Sequence, residues 1–198
     1  MTRTALITGG GTGIGLAVAR RLALAGDSVV ITGRRLDPLR RAAAELGDRV
    51  RPIGCDHTDP DQLAALLDRL PGQLDVLVNN AGPGGSVVHI GSIAADKGAG
   101  AYGAAKAGLA SWNIDLAREL GARQITANVV AAGFIQDTEF FRGRLSDTRR
   151  ERLIADTATG RPGMVEDIAD TVLFLTSRGA RHITGQVLNV NGGAHPTR

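Results

Sequence analysis

Apolar positions fall in short blocks separated by longer stretches with helical spacing. The blocks Thr4–Ile7, Val29–Ile31, Val50–Cys55, Leu74–Val78, Ser86–Ile90, Ile125–Val130 and Val187–Val190 predict seven strands. Val29–Ile31 carries no polar residue on either face, as parallel strands buried between two helical layers do. Between them, Leu16, Ala19, Leu22 and Ala23 fall on one side of a helix that Arg20 and Arg21 solvate and Gly26 closes. Leu39 and Leu46 anchor a second helix over residues 38–46, and Leu63, Leu66, Leu67 and Leu70 line a third that Asp59-Pro60 opens. Further helices are expected over 101–120, 147–158 and 165–175. Strand and helix alternate, which predicts a three-layer α/β sandwich with a doubly wound parallel sheet, and 198 residues suit a single domain, 1–198. Proline at position 52 predicts a less regular start to the third strand.

The alternation breaks once. Between the fourth strand and the fifth stand only Asn79-Asn80-Ala81-Gly82-Pro83-Gly84-Gly85. A parallel return across a sheet ordinarily takes a dozen residues or more, with a helix. Three readings are open: the natural protein carries residues that this sequence omits, the chain is a true internal deletion, or the two strands run antiparallel. The neighbouring motifs favour parallel strands and the first reading.

The first strand runs directly into Thr8-Gly9-Gly10-Gly11-Thr12-Gly13-Ile14-Gly15. A strand, a glycine-rich turn and a helix N-terminus form a site for a dinucleotide pyrophosphate, with Gly13 and Gly15 expected to leave it room. Taken alone, such a turn is a weak signal, with an ordinary flexible loop as the alternative. Past the second strand, where an acidic side chain would accept bonds from a ribose hydroxyl, stand Gly33, Arg34 and Arg35. Two guanidinium groups suit a 2′-phosphate, so NADP(H) is favoured over NAD(H); the alternative is that they are solvated residues leading a helix. Asp56 ends the third strand, either near an adenine amino group or as the cap of a turn.

Composition narrows the classes of partner. Phe, Tyr and Trp together make up 3% of the chain, too few for base-stacking platforms, and nucleic acid is not an expected partner. No apolar run is long enough to cross a membrane, and Met1 stands almost against the first strand, so a cytoplasmic location is expected. Cys55 is the only cysteine, and His57, His89, His182 and His195 lack metal-ligand spacing; no metal is expected.

Tyr102 and Lys106 lie four positions apart in one helix and share a face. An ammonium beside a phenol favours negative charge on its oxygen, so the tyrosine could protonate a carbonyl oxygen while hydride arrives. Ser92, at a strand end, could hold that oxygen. A Tyr/Lys pair in a helix is by itself more often structural.

The combination resembles the short-chain dehydrogenase/reductase family, and within it 3-oxoacyl-[acyl-carrier-protein] reductases. The resemblance rests on TGGGTGIG at 8–15, NNAG at 79–82, the serine of HIGS at 92, YGAAK at 102–106, NVVAAGF at 128–134, GRPGMVEDIA at 160–169 and ITGQVLNVNGG at 183–193. It implies a Rossmann-like fold and a homodimer or homotetramer. Tyr102 would be general acid in reduction, Lys106 would bind the nicotinamide ribose and Ser92 would orient the substrate oxygen. Gly9, Thr12, Gly13, Ile14 and Gly15 would line the diphosphate, Arg34 and Arg35 the 2′-phosphate, and Asp56 the adenine. Asn80, Ala81 and Gly82 would pass the adenosine ribose, while Ile135 and Thr138 would approach the carboxamide.

The implied reaction is NADPH-dependent reduction of a ketone, with a 3-oxoacyl thioester as leading substrate and other small alcohols, steroids or sugars as alternatives. Residues 133–160 are the candidate substrate cover. Three departures stand out. A catalytic asparagine on the helix between strands four and five has no counterpart, Ser92 precedes Tyr102 by ten positions where thirteen is commoner, and Ala132 replaces a proline, which predicts a looser loop. Without that helix, an inactive nucleotide-binding or regulatory relative is the competing expectation.

Overall fold

A computed structural model describes residues 2–71, 74–78, 85–138, 141 and 145–197. Among them seven strands form one sheet: β1 (Thr4–Thr8), β2 (Ser28–Gly33), β3 (Val50–Gly54), β4 (Val76–Val78), β5 (Ser86–Ser92), β6 (Thr126–Ala132) and β7 (Val187–Val190). Their order is β3-β2-β1-β4-β5-β6-β7. Every neighbouring pair is parallel. The order reverses between β1 and β4, the place where an open α/β sheet parts its connections and leaves a crevice at the strand ends.

Helices α1 (Gly13–Leu24), α2 (Leu36–Leu46), α3 (Pro60–Asp68), α4 (Ala94–Lys97), α5 (Gly100–Gly121), α6 (Asp147–Ala155) and α7 (Val165–Leu175) complete the described framework. Alternate strand residues separate the layers. Ile7, Val29 and Ile31 pack with Leu22 of α1, Leu39 of α2 and Ile168 of α7. Leu6, Val30 and Leu77 face the other way, onto Leu66 of α3. Val87 and Ala127 meet Ala117 of α5 on that second face. Each large side chain so buried contributes roughly 1.5–3 kcal/mol.

Local chemistry sets the helix starts. The Asp59 carboxylate accepts from the N–H groups of Asp61 and Gln62 at 3.0 and 3.2 Å, and Pro60 supplies a first helical residue that needs no donor. Ser146 caps α6 by accepting from Arg149 N at 3.3 Å.

β4 and β5 are parallel, as the neighbouring motifs led us to expect, with Val76 opposite Ser86 and Leu77 opposite Val87, which removes the antiparallel alternative for the short link. Three expectations are corrected. β3 pairs with β2 without a break through Pro52, because β3 is the sheet edge and the missing donor there costs no ladder bond. The stretch after Ser92 is not all loop: it holds α4, and α5 begins two residues beyond Gly98. The charged helix ends at Ala155 rather than 158, where the Thr157 hydroxyl lies 2.7 Å from the Ile154 carbonyl.

Gly15 governs the first turn. A Cβ there would lie 2.3 Å from the Gly9 carbonyl oxygen, a backbone atom with nowhere to move. Gly15→Ala is therefore expected to destabilise the fold by about 2 kcal/mol or more, read as a lowered denaturant midpoint. Gly108, inside α5, has nothing within 4 Å of its would-be Cβ, so Gly108→Ala should raise the midpoint, with a gain of about 0.5–1 kcal/mol. Equal midpoints for the two variants would contradict this account of the turn.

Candidate active site

Three cavities follow one another along the C-terminal ends of the strands. The first, about 670 Å³, lies among Gly9, Thr12, Arg34, Arg35 and Asp56. The middle one, about 380 Å³, shares Thr8 with the first, and Ile14, Ile90 and Lys106 with the third. The third, about 500 Å³, is lined by Ser92, Tyr102, Lys106, Ile135 and Thr138 among others. Shared walls make them one trough, which crosses the sheet at its switch point.

At the phosphate end the turn fits an anion. Gly9 and Gly13 have φ of 66° and 54°, a region that favours glycine, and a Cβ on either would meet nothing within 4 Å. Thr12, the residue before α1, makes no side-chain cap, and no acidic residue stands in the first helical turn. The first N–H groups of α1 thus lack the oxygen that an ordinary cap provides. Gly15 lets the turn close on the Gly9 carbonyl, where a Cβ would lie 2.3 Å from the oxygen.

Arg34 and Arg35 lie between β2 and α2, on the wall of the first cavity with His57 and Thr58. Asp56 closes a turn, the second of its two readings, and stands on the wall of the first cavity. Its carboxylate accepts from Thr58 N at 3.0 Å and from the Thr58 hydroxyl at 2.8 Å. Those two bonds hold the carboxyl below its ordinary pKa. Asn80, Ala81 and Gly82 lie outside the described residues.

At the other end Ser92, Tyr102 and Lys106 converge. The Lys106 ammonium sits 5.8 Å from the centre of the Tyr102 ring and donates to the Ile90 carbonyl at 2.8 Å. Burial pushes its pKa down. Ser92 Oγ accepts from Ala94 N at 3.2 Å, so the hydroxyl proton remains available to an oxygen in the cavity. The ten-residue spacing closes because Gly103 lacks a side chain: a Cβ there would lie 2.6 Å from the Ala94 carbonyl, so α4 packs directly on α5.

The loop after β6 is tied on several sides. Ala132 remains in the ladder between Ser92 and Val190, and its carbonyl accepts from Ile93 N at 3.1 Å, so the looser loop expected without proline is not found. Gly163 N donates to Phe134 O at 2.9 Å and Gln136 N to Gly163 O at 3.0 Å, holding Ile135 against the cavity. The Thr138 hydroxyl lies 3.3 Å from the Ile135 carbonyl. Among the described residues no asparagine lines the second or third cavity.

Lys97, Phe141, Arg149 and Leu153 also line the third cavity; the last three fall within the stretch 133–160, and sequence reasoning missed Lys97 and did not single out Arg149 and Leu153. Arg149 and Leu153 are four apart in α6, a spacing that signals a shared face, but a helix this polar gave no indication of which face turns inward.

Comparison with known proteins matches residues 3–83 to the short chain dehydrogenase family and residues 81–195 to the family described as enoyl-(acyl carrier protein) reductase. The 3-oxoacyl-[acyl-carrier-protein] reductase FabG of Escherichia coli (strain K12) is 34% identical over 239 aligned positions, covering 98% of this chain and 97% of that protein. Nodulation protein G of Rhizobium sp. (strain N33) is 32% identical, with 96% of each covered. Since 239 positions exceed the 198 residues of this chain, at least 41 of the positions aligned with the E. coli protein have no residue here. Among solved structures, a blue fluorescent protein from a metagenomic library, in complex with NADPH, superposes with a TM-score of 0.86 at 32% identity, covering 98% of both chains. A short-chain type dehydrogenase/reductase from Mycobacterium ulcerans gives 0.89 at 32% identity, covering 97% of this chain and 89% of that one.

His89 lines the middle cavity, buried beside the Trp112 ring with centroids 5.4 Å apart. Burial, and after it the Lys106 charge, pushes its pKa below the usual value. The unfolded chain therefore takes up a proton that the folded site resists, so stability should fall as pH drops below about 6.5 and should stop falling on this account once pH is below the folded value. Thermal midpoints measured from pH 7.5 down to 5 should decline less steeply in His89→Leu than in the unsubstituted protein; identical slopes would remove His89 from the acid response.

Proposed function

The chain belongs to the short-chain dehydrogenase/reductase family, and on that premise we propose that it is an NADPH-dependent reductase converting a ketone to a secondary alcohol, with a 3-oxoacyl thioester as substrate. The observation that carries this reading is the trough that joins the uncapped helix N-terminus and Arg34 to a cavity walled by Ser92, Tyr102 and Lys106. The NADPH in the metagenomic relative and the reductase activity named for the E. coli relative support the same choice.

Arg34 and Arg35 would hold the 2′-phosphate, Thr12 to Gly15 the diphosphate and Lys106 the nicotinamide ribose. When bound, the reduced nicotinamide supplies hydride to the carbonyl carbon. Ser92 donates its hydroxyl proton as a hydrogen bond to the carbonyl oxygen, which fixes that oxygen near Tyr102. The Tyr102 hydroxyl then gives up its proton to the same oxygen, and the neighbouring ammonium stabilises the phenolate that remains. Apolar walls from Ile14, Ile90, Phe134 and Ile135 limit water there. Residues 133–160 act as the cover, with Arg149 and Leu153 turned to the cavity.

The protein is read as one domain, cytoplasmic and a homodimer or homotetramer. Trp112, 53% exposed, and Ile114, 45% exposed, offer apolar surface on α5 for a second copy. One observation favours a second reading. The at least 41 positions that the E. coli relative carries in excess, together with the short link between β4 and β5, support the loss of a crossover, and a chain without it could bind nucleotide without turnover. An intact mass of 20.5 kDa would mean that the chain lacks the segment, and several kilodaltons more that the protein carries it.

Tyr102→Phe should lower kcat by about 100-fold or more while NADPH affinity is kept. Turnover unaffected by that substitution would remove Tyr102 from the role of proton donor, and no turnover by the unsubstituted protein would overturn the enzymatic reading. Arg34→Ala should weaken NADPH binding by about tenfold, some 1.4 kcal/mol, and leave NADH binding unchanged. Equal losses for both nucleotides would remove Arg34 from the phosphate site.

A further inference from the structure

Residues 191–195, which follow β7, form a turn that grips the third cavity from outside. Asn191, buried at its start, closes it. The Asn191 side-chain oxygen accepts from Gly193 N at 2.9 Å, its amide donates to the His195 carbonyl at 3.0 Å, and its backbone carbonyl accepts from Ala194 N at 3.1 Å. The described residues that line the cavity include none from this turn.

Three walls of the cavity nevertheless rest on it. The first is the loop after β6. Gly133 lines the cavity, and a Cβ on it would lie 2.7 Å from the Asn191 Cβ, so backbone meets side chain there without a spacer. The second wall is α6, through Leu153. Just beyond that helix Thr159 N donates to the Gly192 carbonyl at 3.1 Å, and a Cβ on Gly193 would lie 2.7 Å from that of Ala158. The third wall is α4, whose Ala94 and Lys97 line the cavity. The Lys97 ammonium donates to the Ala194 carbonyl at 3.3 Å and lies 4.0 Å from the Asp156 carboxylate at the end of α6, while Asp96 lies 3.4 Å from the His195 ring. A helix of four residues with no buried side chain of its own has little to hold it in place except such ties and its packing on Gly103.

We propose that Asn191 is a positioning residue for the ketone: the turn it closes fixes the spacing of the loop after β6, the end of α6 and α4, and so sets how tightly the substrate is held without touching it. The inference rests on the reductase reading of this cavity and adds to it the residue that keeps the walls together. Ser92 is fixed independently, by the ladder that pairs it with Ala132, and Tyr102 by the long helix α5. Loosening the turn therefore releases the walls around the body of the ketone before it disturbs the proton donor. The phosphate end of the trough, among Gly9, Thr12 and Arg34, lies in the first cavity and is held by other elements.

The test is steady-state reduction of acetoacetyl-coenzyme A by NADPH, with NADPH affinity and the thermal midpoint measured on the same samples. Asn191→Ala should raise KM for the ketone about fivefold, leave kcat within about twofold and leave NADPH affinity within about twofold. Asn191→Asp keeps the acceptor for Gly193 N and loses the donor to His195, and should fall between. Asp96→Asn, on an exposed residue outside the cavity, unties α4 from the turn while the core stays closed; it should raise KM about twofold, and Asp96→Glu should restore it. His195→Ala should match Asp96→Asn, and the double variant should add nothing, because both remove the same contact. A purely structural role reads differently: a partly unfolded population lowers kcat and leaves KM unchanged. Where Asn191→Ala does not fold, the Asp96 and His195 variants decide. Unchanged KM in every folded variant, or a loss confined to kcat, would overturn the positioning role while turnover by the unsubstituted protein keeps the reductase reading intact. No turnover by the unsubstituted protein would overturn that reading, and the positioning role with it.

Discussion

A parallel sheet brings every strand out at the same edge, and in this chain that constraint determines where chemistry can happen. β1 and β4 are neighbours whose next strands in sequence, β2 and β5, lie on opposite sides of them, and a crevice forms at such a switch point. The glycine turn after β1, the arginines after β2, Asp56 after β3 and Ser92 at the end of β5 all open onto that edge. None needs a special fold of its own. They are collected by sheet direction, and the trough is the space that direction leaves.

Within that space small residues set the distances. Gly15 permits the first helix to start against the Gly9 carbonyl, and Gly103 permits α4 to start against α5 through the Ala94 carbonyl. The first contact aims uncapped N–H groups at one end of the trough; the second lets a connection of only ten positions carry Ser92 and Tyr102 into the same cavity. Lys106 links the two ends. It lines both the middle and the third cavity, and its bond to the Ile90 carbonyl fixes a partly desolvated charge beside the Tyr102 ring.

Much of this was legible in the sequence because it depends on local pattern. The seven apolar blocks became the seven strands, and the i, i+4 spacing of Tyr102 and Lys106 was enough to put them on one face. The ends of the elements were less legible. Pro52 kept its place because β3 is the sheet edge, which only topology reveals, and α4 arose in a glycine-rich stretch because Gly103 gave it a surface to pack on. Lys97 of α4 and Arg149 and Leu153 of α6 were hidden for a related reason: whether they line the cavity depends on how their helices are placed in the fold, a tertiary fact with no periodic signature. Ala132 shows the converse. A missing proline suggested looseness, but the ladders on both sides of β6 supply the restraint.

The short link between β4 and β5 also bears on the entropy lost when the chain assembles. Val76 and Ser86 face each other across a parallel ladder although only ten positions separate them. A parallel pair is ordinarily a long-range event, delayed by the entropy of closing its crossover. Closing a loop about fivefold longer would cost about 1.4 kcal/mol more. At the centre of this sheet, a pairing that is usually among the most distant in sequence is nearly as local as a hairpin, so its closure adds little to the entropy that folding must overcome.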